Sequence, residues 1–184
     1  EIALLNVDGP ELFKISDRRV ILPADFEDLS DTPAYRSIME GQTYTSPVYT
    51  SDRAEPYFFL AVPLKATPRK TAGGLIPRTN LKFLWEVVSE KKFSRAGYVY
   101  LVNETGDLIA HQDSSLVLKH LSLTSLRKVA KFLRTRAPDQ PPAEPGMGLN
   151  GAEVLSTYAL VADLGWAVMV EEPGWAVEFA RLNA

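Results

Sequence analysis

A turn motif that occurs twice constrains the fold of this chain more than any other feature. The segment "IALLNVDGPELFKIS" joins two apolar stretches through Asn6 to Gly9, and "AGYVYLVNETGDLIAHQD" does the same through Asn103 to Gly106. Asparagine and aspartate hydrogen-bond to nearby backbone in turns, and glycine readily adopts positive φ, so both segments are predicted hairpins. The second turn follows the first by about half of the 184-residue chain. This repeat predicts two modules of similar architecture, and the alternative is that two unrelated hairpins share one turn chemistry.

The segments between and after the two hairpins predict further strands and helices. Strands are predicted in "TYTSPVY", "YFFLAVPLK" and "GGLIPRTN", with "ATPRKTAG" as an exposed connection, and a strand pair is predicted in "EVLSTYALVADLGWAVMVEEP". Helical spacing of apolar residues predicts one helix from about residue 81 and another from about Thr124. The segment "APDQPPAEPGMGLNG" is rich in proline and glycine and is predicted to be a loop. The terminal "GWAVEFARLNA" is predicted to begin a helix.

Composition excludes several classes of function. Hydrophobic residues make up 46% of the chain and aromatic residues 10%, which is enough for a core. Twenty basic residues against 23 acidic ones give a net charge of -3, and this balance argues against nucleic-acid binding. The absence of cysteine excludes disulfides and thiolate zinc sites. None of the familiar nucleophile, phosphate-loop or zinc motifs is present, so we predict neither catalysis nor a cofactor.

The ends of the chain indicate a fragment of a longer protein. Glu1 is followed at once by the strand-like "IALL", without an initiating methionine or a charged leader. No apolar run reaches the roughly 18 residues that a membrane-spanning helix needs.

Four stretches resemble the double Cache sensor domain of bacterial transmembrane receptors. They are "IALLNVDGPELFKIS", "GQTYTSPVYTSDRAEPYFFLAVPL", "GGLIPRTNLKFLWEVVSEKKFSRAGYVYLVNETGDLIAHQDSSLVLKHLSL" and "EVLSTYALVADLGWAVMVEEP". The resemblance covers nearly the whole chain and is most specific from Asn80 to Asp113. It is closest to the sensor domains that precede HAMP segments in histidine kinases and nucleotide cyclases.

The resemblance implies an α+β fold of two tandem PAS-like modules, each a curved antiparallel sheet flanked by helices. It implies a membrane-distal module at residues 1–92 and a membrane-proximal module at residues 93–184. The long N-terminal helix of the family is missing from this sequence. The resemblance further implies a periplasmic or extracellular location in an inner-membrane protein, frequent dimerisation and a small ligand in the distal module.

Aromatic and polar residues of the first half predict a binding pocket. A mostly aromatic cleft with a few polar anchors is typical of small-molecule sites. The alternative is that the same aromatic residues fill a half-buried sheet, where they are also favoured. The predicted ligand-binding residues are Tyr35, Arg36, Tyr44, Ser46, Tyr57, Phe59 and Arg78.

Arg78 is the most informative of these candidates. It lies between the apolar run "GGLIP" and the next helix, where an inward charge would be costly unless it were paired. In amino-acid-binding members of the family an acidic residue near this position meets the ligand's ammonium group. This sequence has Arg78 there instead and also lacks the tryptophan of that motif, which argues against amino-acid sensing. We therefore expect Arg36 or Arg78 to attract a carboxylate, so that the ligand is a small anionic metabolite.

His111 and the tryptophans have structural interpretations. His111 and Asp113 are two apart on a predicted strand and could share a metal ion or a proton, but without a third ligand nearby a structural histidine is favoured and no metal site is predicted. Trp85 and Trp166 are expected to pack between helix and sheet, and Trp175 is expected near the membrane interface.

These observations predict a ligand-sensing input domain that transmits a conformational change to a cytoplasmic output. The alternative is a scaffold for dimerisation or for docking of a periplasmic protein, and an enzyme with a PAS-like fold is a more remote possibility. Stabilisation by ligand would distinguish a sensor from a scaffold.

Overall fold

The structure, a computed structural model, describes residues 1–51, 55–90, 97–137 and 141–175. The chain divides into two compact units, Glu1–Asn80 and Leu81–Ala184. Each unit contains one antiparallel sheet, and helices are few and short, which confirms an α+β fold. None of the helices in the described ranges combines the length and the apolarity that crossing a membrane requires.

The first unit is a sheet with one helix. Its elements are β1 (Ile2–Asn6), β2 (Glu11–Ile15), α1 (Pro33–Met39), β3 (Tyr44–Thr45), β4 (Tyr49–Thr50), β5 (Pro56–Thr67) and β6 (Lys70–Asn80), with a 3₁₀ turn at Pro23–Asp25. The strands follow the order β2-β1-β6-β5-β3, and β4 also pairs with β5.

Helix α1 closes one face of this sheet. Its start is fixed by Thr32, whose side chain accepts a hydrogen bond from the backbone N–H of Tyr35. Ala34 and Ile38, four residues apart, form the buried side of the helix and join the sheet residues of the first core. A Cβ at position 74 would lie 2.4 Å from the Ile38 side chain, so Gly74 permits the close approach of the helix.

The second unit has a sheet of its own and, in its described residues, three helices. Its elements are α2 (Lys82–Glu90), β7 (Tyr98–Val102), β8 (Leu108–His111), α3 (Ser114–Leu118), α4 (Arg127–Thr135), β9 (Glu144–Met147), β10 (Glu153–Val161) and β11 (Trp166–Pro173), with a 3₁₀ turn at Ala162–Leu164. The strand order is β8-β7-β11-β10-β9. Its core includes five large side chains that are almost completely buried: Tyr100, Val129, Phe132, Tyr158 and Met169.

The repeated turn has the same hydrogen bonds in both units. The N–H of Gly9 donates to the carbonyl of Asn6 at 3.2 Å, and that of Gly106 donates to Asn103 at 3.1 Å. Both glycines have positive φ, as the turn requires. Because the strand orders also correspond position by position, the sequence repeat reflects a repeat of topology.

Several predicted elements need correction. The stretch "TYTSPVY" is not one strand but contains β3 and the start of β4, separated by Ser46 to Val48. Strands β5 and β6 run through most of "ATPRKTAG", leaving a tight turn where a longer connection was predicted. The predicted loop 137–151 contains the edge strand β9, and the short helix α3 was not predicted. Of the helix predicted at "GWAVEFARLNA", only Gly174 and Trp175 belong to the described residues, and both are helical.

Candidate functional site

A cavity of about 540 Å³ lies in the first unit, and several of its wall residues lie on the face of the sheet that carries α1. Ile76 belongs to the core under α1, and because side chains alternate along a strand, Arg78 and Asn80 share its face. Tyr57 lies opposite Asn80 on β5. The volume falls within the range of small-molecule sites.

The aromatic wall of the cavity is a pair of tyrosines. Tyr49 on β4 pairs with Tyr57 on β5, and their rings stack with centroids 6.2 Å apart. Phe59 meets the Tyr49 ring edge-on at 6.4 Å. Burial raises the pKa of the Tyr49 hydroxyl, so it remains a neutral donor and acceptor near neutral pH.

Polar groups are held beside the tyrosines by a closed set of hydrogen bonds. The Asn80 Nδ2 donates to Glu55 Oε2 at 2.7 Å and to the Tyr57 hydroxyl at 2.9 Å. The Tyr57 hydroxyl donates to Glu55 Oε2 at 3.3 Å. These bonds fix an amide, a phenol and a carboxylate at one end of the cavity. The rest of the wall comes from Glu1, Ser16, Asp17, Arg18, Arg19, Ser51 and Thr79.

Arg78 is one of several charged residues in the wall and is itself surrounded by carboxylates. Glu27 binds its guanidinium in a bidentate manner, at 3.1 Å to Nη1 and 3.0 Å to Nη2. The Arg78 guanidinium holds the pKa of the Glu27 carboxyl below its usual range. Glu1 and Glu11 lie at 3.5 and 3.6 Å from the same guanidinium. The carboxylate that Arg78 was expected to attract is therefore supplied, in this structure, by the chain itself.

A buried ion pair supports Arg78 from β2. Lys14 Nζ lies 2.6 Å from Glu11 Oε2, and both side chains are fully buried. Lys14 also donates to the Asp25 carbonyl at 2.6 Å. In the described residues, Glu11 Oε1 and Arg78 Nε are buried without a hydrogen-bond partner.

The seven predicted ligand-binding residues lie in different surroundings. Tyr57 and Arg78 line the cavity. Tyr35, Tyr44 and Phe59 pack against the first core, and Arg36 is exposed on α1. Ser46 is buried, and its hydroxyl accepts a hydrogen bond from the backbone N–H of Phe59 at 2.9 Å.

Tyr49, Glu55 and Asn80 were missed among the cavity residues. The place of Asn80 in the cavity wall could have been predicted once Arg78 was chosen, because residues two apart on a strand share a face. Tyr49 and Glu55 could not, since their place depends on how β4 pairs with β5.

The second unit contains a buried polar cluster, which sequence reasoning also missed. The Glu171 side chain is almost completely buried, and it accepts hydrogen bonds from the hydroxyls of Tyr98 at 2.5 Å and Tyr100 at 2.6 Å. The backbone N–H of Leu149 donates to it at 3.0 Å. Burial, reinforced by Glu171, raises the pKa of both tyrosine hydroxyls, so that they remain donors.

His111 lies beside this cluster, and its surroundings favour the structural interpretation. Its ring is 5.7 Å from that of Tyr98, and its Nδ1 accepts the backbone N–H of Asp113 at 2.9 Å. The Asp113 carboxylate caps α3 by accepting the N–H of Ser115. Within the described ranges, no group of three or more metal-ligating side chains occurs.

Stability should fall in mild acid because of His111. Burial lowers its pKa below the ordinary 6.5, so above that value the folded state holds the neutral ring without cost. Below pH 6.5 the unfolded chain binds a proton at His111 more readily than the folded chain does. The stability that the neutral ring contributes is therefore lost as pH falls through the lowered pKa of the folded state. Urea titrations between about pH 5 and 8 should show this loss, and His111→Gln should flatten the profile. The same substitution at exposed His120 is the control, and an equal effect there would refute the assignment.

The tryptophans take up different environments. The Trp85 Nε1 donates to the carbonyl of Ile109 at 3.1 Å, which ties α2 to β8, as the predicted packing role requires. Trp166 is buried and donates to Glu104 at 3.0 Å. Trp175 is exposed, and its placement near a membrane remains a prediction.

Comparison with protein families identifies one matching model. The Cache domain model matches residues 1–174, nearly the whole chain. No curated protein matches this chain.

Solved structures of similar fold include sensor domains of two receptor classes. The extracellular domain of the putative histidine kinase rpHK1S-Z16 superposes with a TM-score of 0.70 at 17% identity, over 96% of this chain and 71% of that one. The ligand-binding domain of Mlp24 with asparagine superposes with a TM-score of 0.59 at 18% identity, over 100% of this chain and 71% of that one. The ligand-binding domain of the Pseudomonas aeruginosa PAO1 amino acid chemoreceptor PctB in complex with L-Gln superposes with a TM-score of 0.61 at 21% identity, over 94% of this chain and 67% of that one. At these identities the likeness shows the fold alone.

Proposed function

Since the chain belongs to the Cache domain family, whose members are non-catalytic sensor domains, we propose that it is the extracytoplasmic ligand-sensing part of a bacterial transmembrane receptor. The first unit is the membrane-distal module and binds a small metabolite, and the second is the membrane-proximal module. Ligand binding shifts the conformation of the domain and so biases a cytoplasmic output domain. The coupling is limited by the difference in ligand affinity between the two conformations.

The observation that carries this proposal is the cavity of the first unit. It has the volume of a metabolite site and combines stacked tyrosines with a few fixed polar groups, as ligand pockets do. The Glu55, Tyr57 and Asn80 side chains are held together by hydrogen bonds among themselves. Such preorganisation reduces the ordering cost of binding.

The proposed ligand carries a carboxylate that binds Arg78. Arg78 presents a planar fork that suits bidentate carboxylate binding, and its side chain is largely buried at the cavity wall. The stacked pair of Tyr49 and Tyr57 would contact the ligand's apolar part. Solved structures of similar fold include domains in complex with asparagine, L-Gln and GABA. All three compounds carry a carboxylate, which is consistent with the proposal.

Replacement of Arg78 tests the assignment. A thermal-shift screen against metabolites with a carboxylate and metabolites without one should find compounds that stabilise the protein, because a ligand that binds only the folded state raises its melting temperature. For carboxylate hits, calorimetry should show at least about tenfold weaker binding by Arg78→Ala, since hydrogen bonds to charged groups contribute about 1.5–3 kcal/mol. Arg36→Ala is the matched control, because Arg36 is exposed on α1 outside the cavity wall. Equal binding by wild type and Arg78→Ala would remove Arg78 from the site.

A scaffold for dimerisation is the second candidate, and one observation favours it. Ile2, Phe13 and Ile15 are exposed on one face of the β1–β2 hairpin, opposite the face that carries α1. A screen without any stabilising compound, together with a dimer in light scattering, would favour this function over ligand sensing.

A further inference from the structure

We infer that Glu27 is an internal competitor for the ligand-binding arginine: its carboxylate occupies the two terminal nitrogens of Arg78 and leaves when a ligand carboxylate binds. The inference rests on the proposed function, and it adds a residue that sets the affinity and makes binding an exchange of carboxylates. It also restricts the range of ligands to compounds whose carboxylate can displace Glu27 from Arg78.

The geometry of the Glu27–Arg78 contact is the geometry that a ligand carboxylate would adopt. Both Glu27 oxygens accept from the two terminal nitrogens of Arg78, at 3.1 and 3.0 Å. This parallel, two-bond arrangement occupies the edge of the guanidinium that Nη1 and Nη2 form. A ligand therefore cannot bind Arg78 in this manner while Glu27 remains in place.

The Glu27 side chain can leave without moving its backbone. The backbone is fixed at both sides, since Glu11 N–H donates to the Glu27 carbonyl and Glu27 N–H donates to Glu11 Oε2, each at 2.9 Å. The Glu27 side chain is 49% exposed, so rotation about its bonds would bring the carboxylate into water. Lys14 Nζ lies 3.7 Å from Glu27 Oε1, and because it is also 2.6 Å from Glu11 Oε2, Lys14 remains paired when Glu27 turns away.

Charge balance favours exchange over simple addition. Arg78 already has Glu1 and Glu11 near it in addition to Glu27, at 3.5 and 3.6 Å. A further carboxylate beside these three would be repelled, because like charges at such distances in a partly buried site are unfavourable. Departure of Glu27 as the ligand enters leaves the number of negative charges around Arg78 unchanged.

The cost of the exchange predicts the size of the effect. A competitor that fills the site most of the time lowers the apparent affinity by the fraction of molecules in which the site is free. Since Glu27 is half exposed and Arg78 is not, the pair should be stronger than a surface ion pair but weaker than a buried one. We therefore expect removal of the Glu27 charge to tighten carboxylate binding by about fivefold to tenfold.

The experiment compares Glu27→Gln with Asp28→Asn, using propionate as the probe and its uncharged isostere propionamide as the control compound. Both substitutions remove one negative charge from neighbouring exposed residues, but Asp28 hydrogen-bonds only to Ser30 N–H among the contacts described for its side chain. Ligand-observed NMR titration should show the fivefold to tenfold gain for propionate with Glu27→Gln alone. Propionamide binding should be unchanged in both variants.

Three results would overturn the inference: equal propionate affinity in wild type and Glu27→Gln, an equal gain with Asp28→Asn, or no binding by either variant. Adding Arg78→Ala to Glu27→Gln should abolish the gain, and a gain that persists would also overturn it. Failure of this inference can be told apart from failure of the proposed function, because the thermal-shift screen includes ligands without a carboxylate. A stabilising ligand of that kind would keep the sensor function while removing the exchange at Arg78.

Discussion

Lys14→Met should lower the free energy of unfolding of the first unit by about 3–5 kcal/mol, because it leaves the Glu11 carboxylate buried without its nearest cation. The Glu11 and Lys14 side chains are both fully buried, and the two charges are 2.6 Å apart. Methionine has a similar length and no charge, so lost packing would be small. Urea unfolding followed by far-ultraviolet circular dichroism measures the change. The three tryptophans at 85, 166 and 175 all belong to the second unit, so their fluorescence reports that unit separately.

Two further variants identify the cause of this loss. Lys14→Met combined with Glu11→Gln removes both charges and keeps an acceptor for the N–H of Glu27, so most of the stability should return. Arg19→Met breaks an exposed ion pair with Asp25 and should cost about 1 kcal/mol or less. If the double variant were as unstable as Lys14→Met alone, the cause would be lost packing and not an unpaired carboxylate.

The parts of the fold that depend on local chemistry could be predicted from the sequence. The turns at Asn6 to Gly9 and Asn103 to Gly106 have residues whose backbone preferences define the turn, so both hairpins were predicted correctly. Helix α2 follows from apolar residues at helical spacing. Strand β9 could not be predicted in the same way, because two of its four residues are proline and glycine and its place depends on pairing with β10.

The candidate site could be predicted only in part, for a similar reason. Arg78 was identified because a charge inside an apolar strand must have a partner, which is a local argument. Tyr49 and Glu55 owe their place in the cavity wall to the pairing of β4 with β5, which no local pattern encodes. Aromatic residues such as Tyr44 and Phe59 are favoured in any half-buried sheet, so composition cannot separate the core from a pocket wall.

The argument that identified Arg78 also applies to Glu171, and the structure explains why. In the first sheet Ala3 pairs with Ile76, two residues before Arg78, and in the second Tyr100 pairs with Met169, two residues before Glu171. Arg78 and Glu171 thus occupy equivalent positions near the ends of equivalent strands. In the first unit this position lines a cavity, whereas in the second it is sealed by two tyrosines and the backbone at Leu149.

Tyr100→Phe should therefore destabilise the second unit by about 1.5–3 kcal/mol, because it removes the hydrogen bond that Glu171 Oε1 accepts inside the protein. The Tyr100 side chain is fully buried, so water cannot replace the lost hydroxyl, and the ring itself is retained. Tryptophan fluorescence during urea unfolding measures the effect in this unit.

Tyr158→Phe is the matched control for this loss. Tyr158 is equally buried in the same core, but its hydroxyl bonds to Thr135, a neutral partner, at 2.9 Å. Its removal should cost about 1 kcal/mol, the usual contribution of a hydrogen bond between neutral groups. Combining Tyr100→Phe with Glu171→Gln removes the carboxylate charge together with its donor and should recover part of the lost stability. If Tyr100→Phe and Tyr158→Phe had equal effects, the stability of the second unit would not depend on how the buried carboxylate is satisfied.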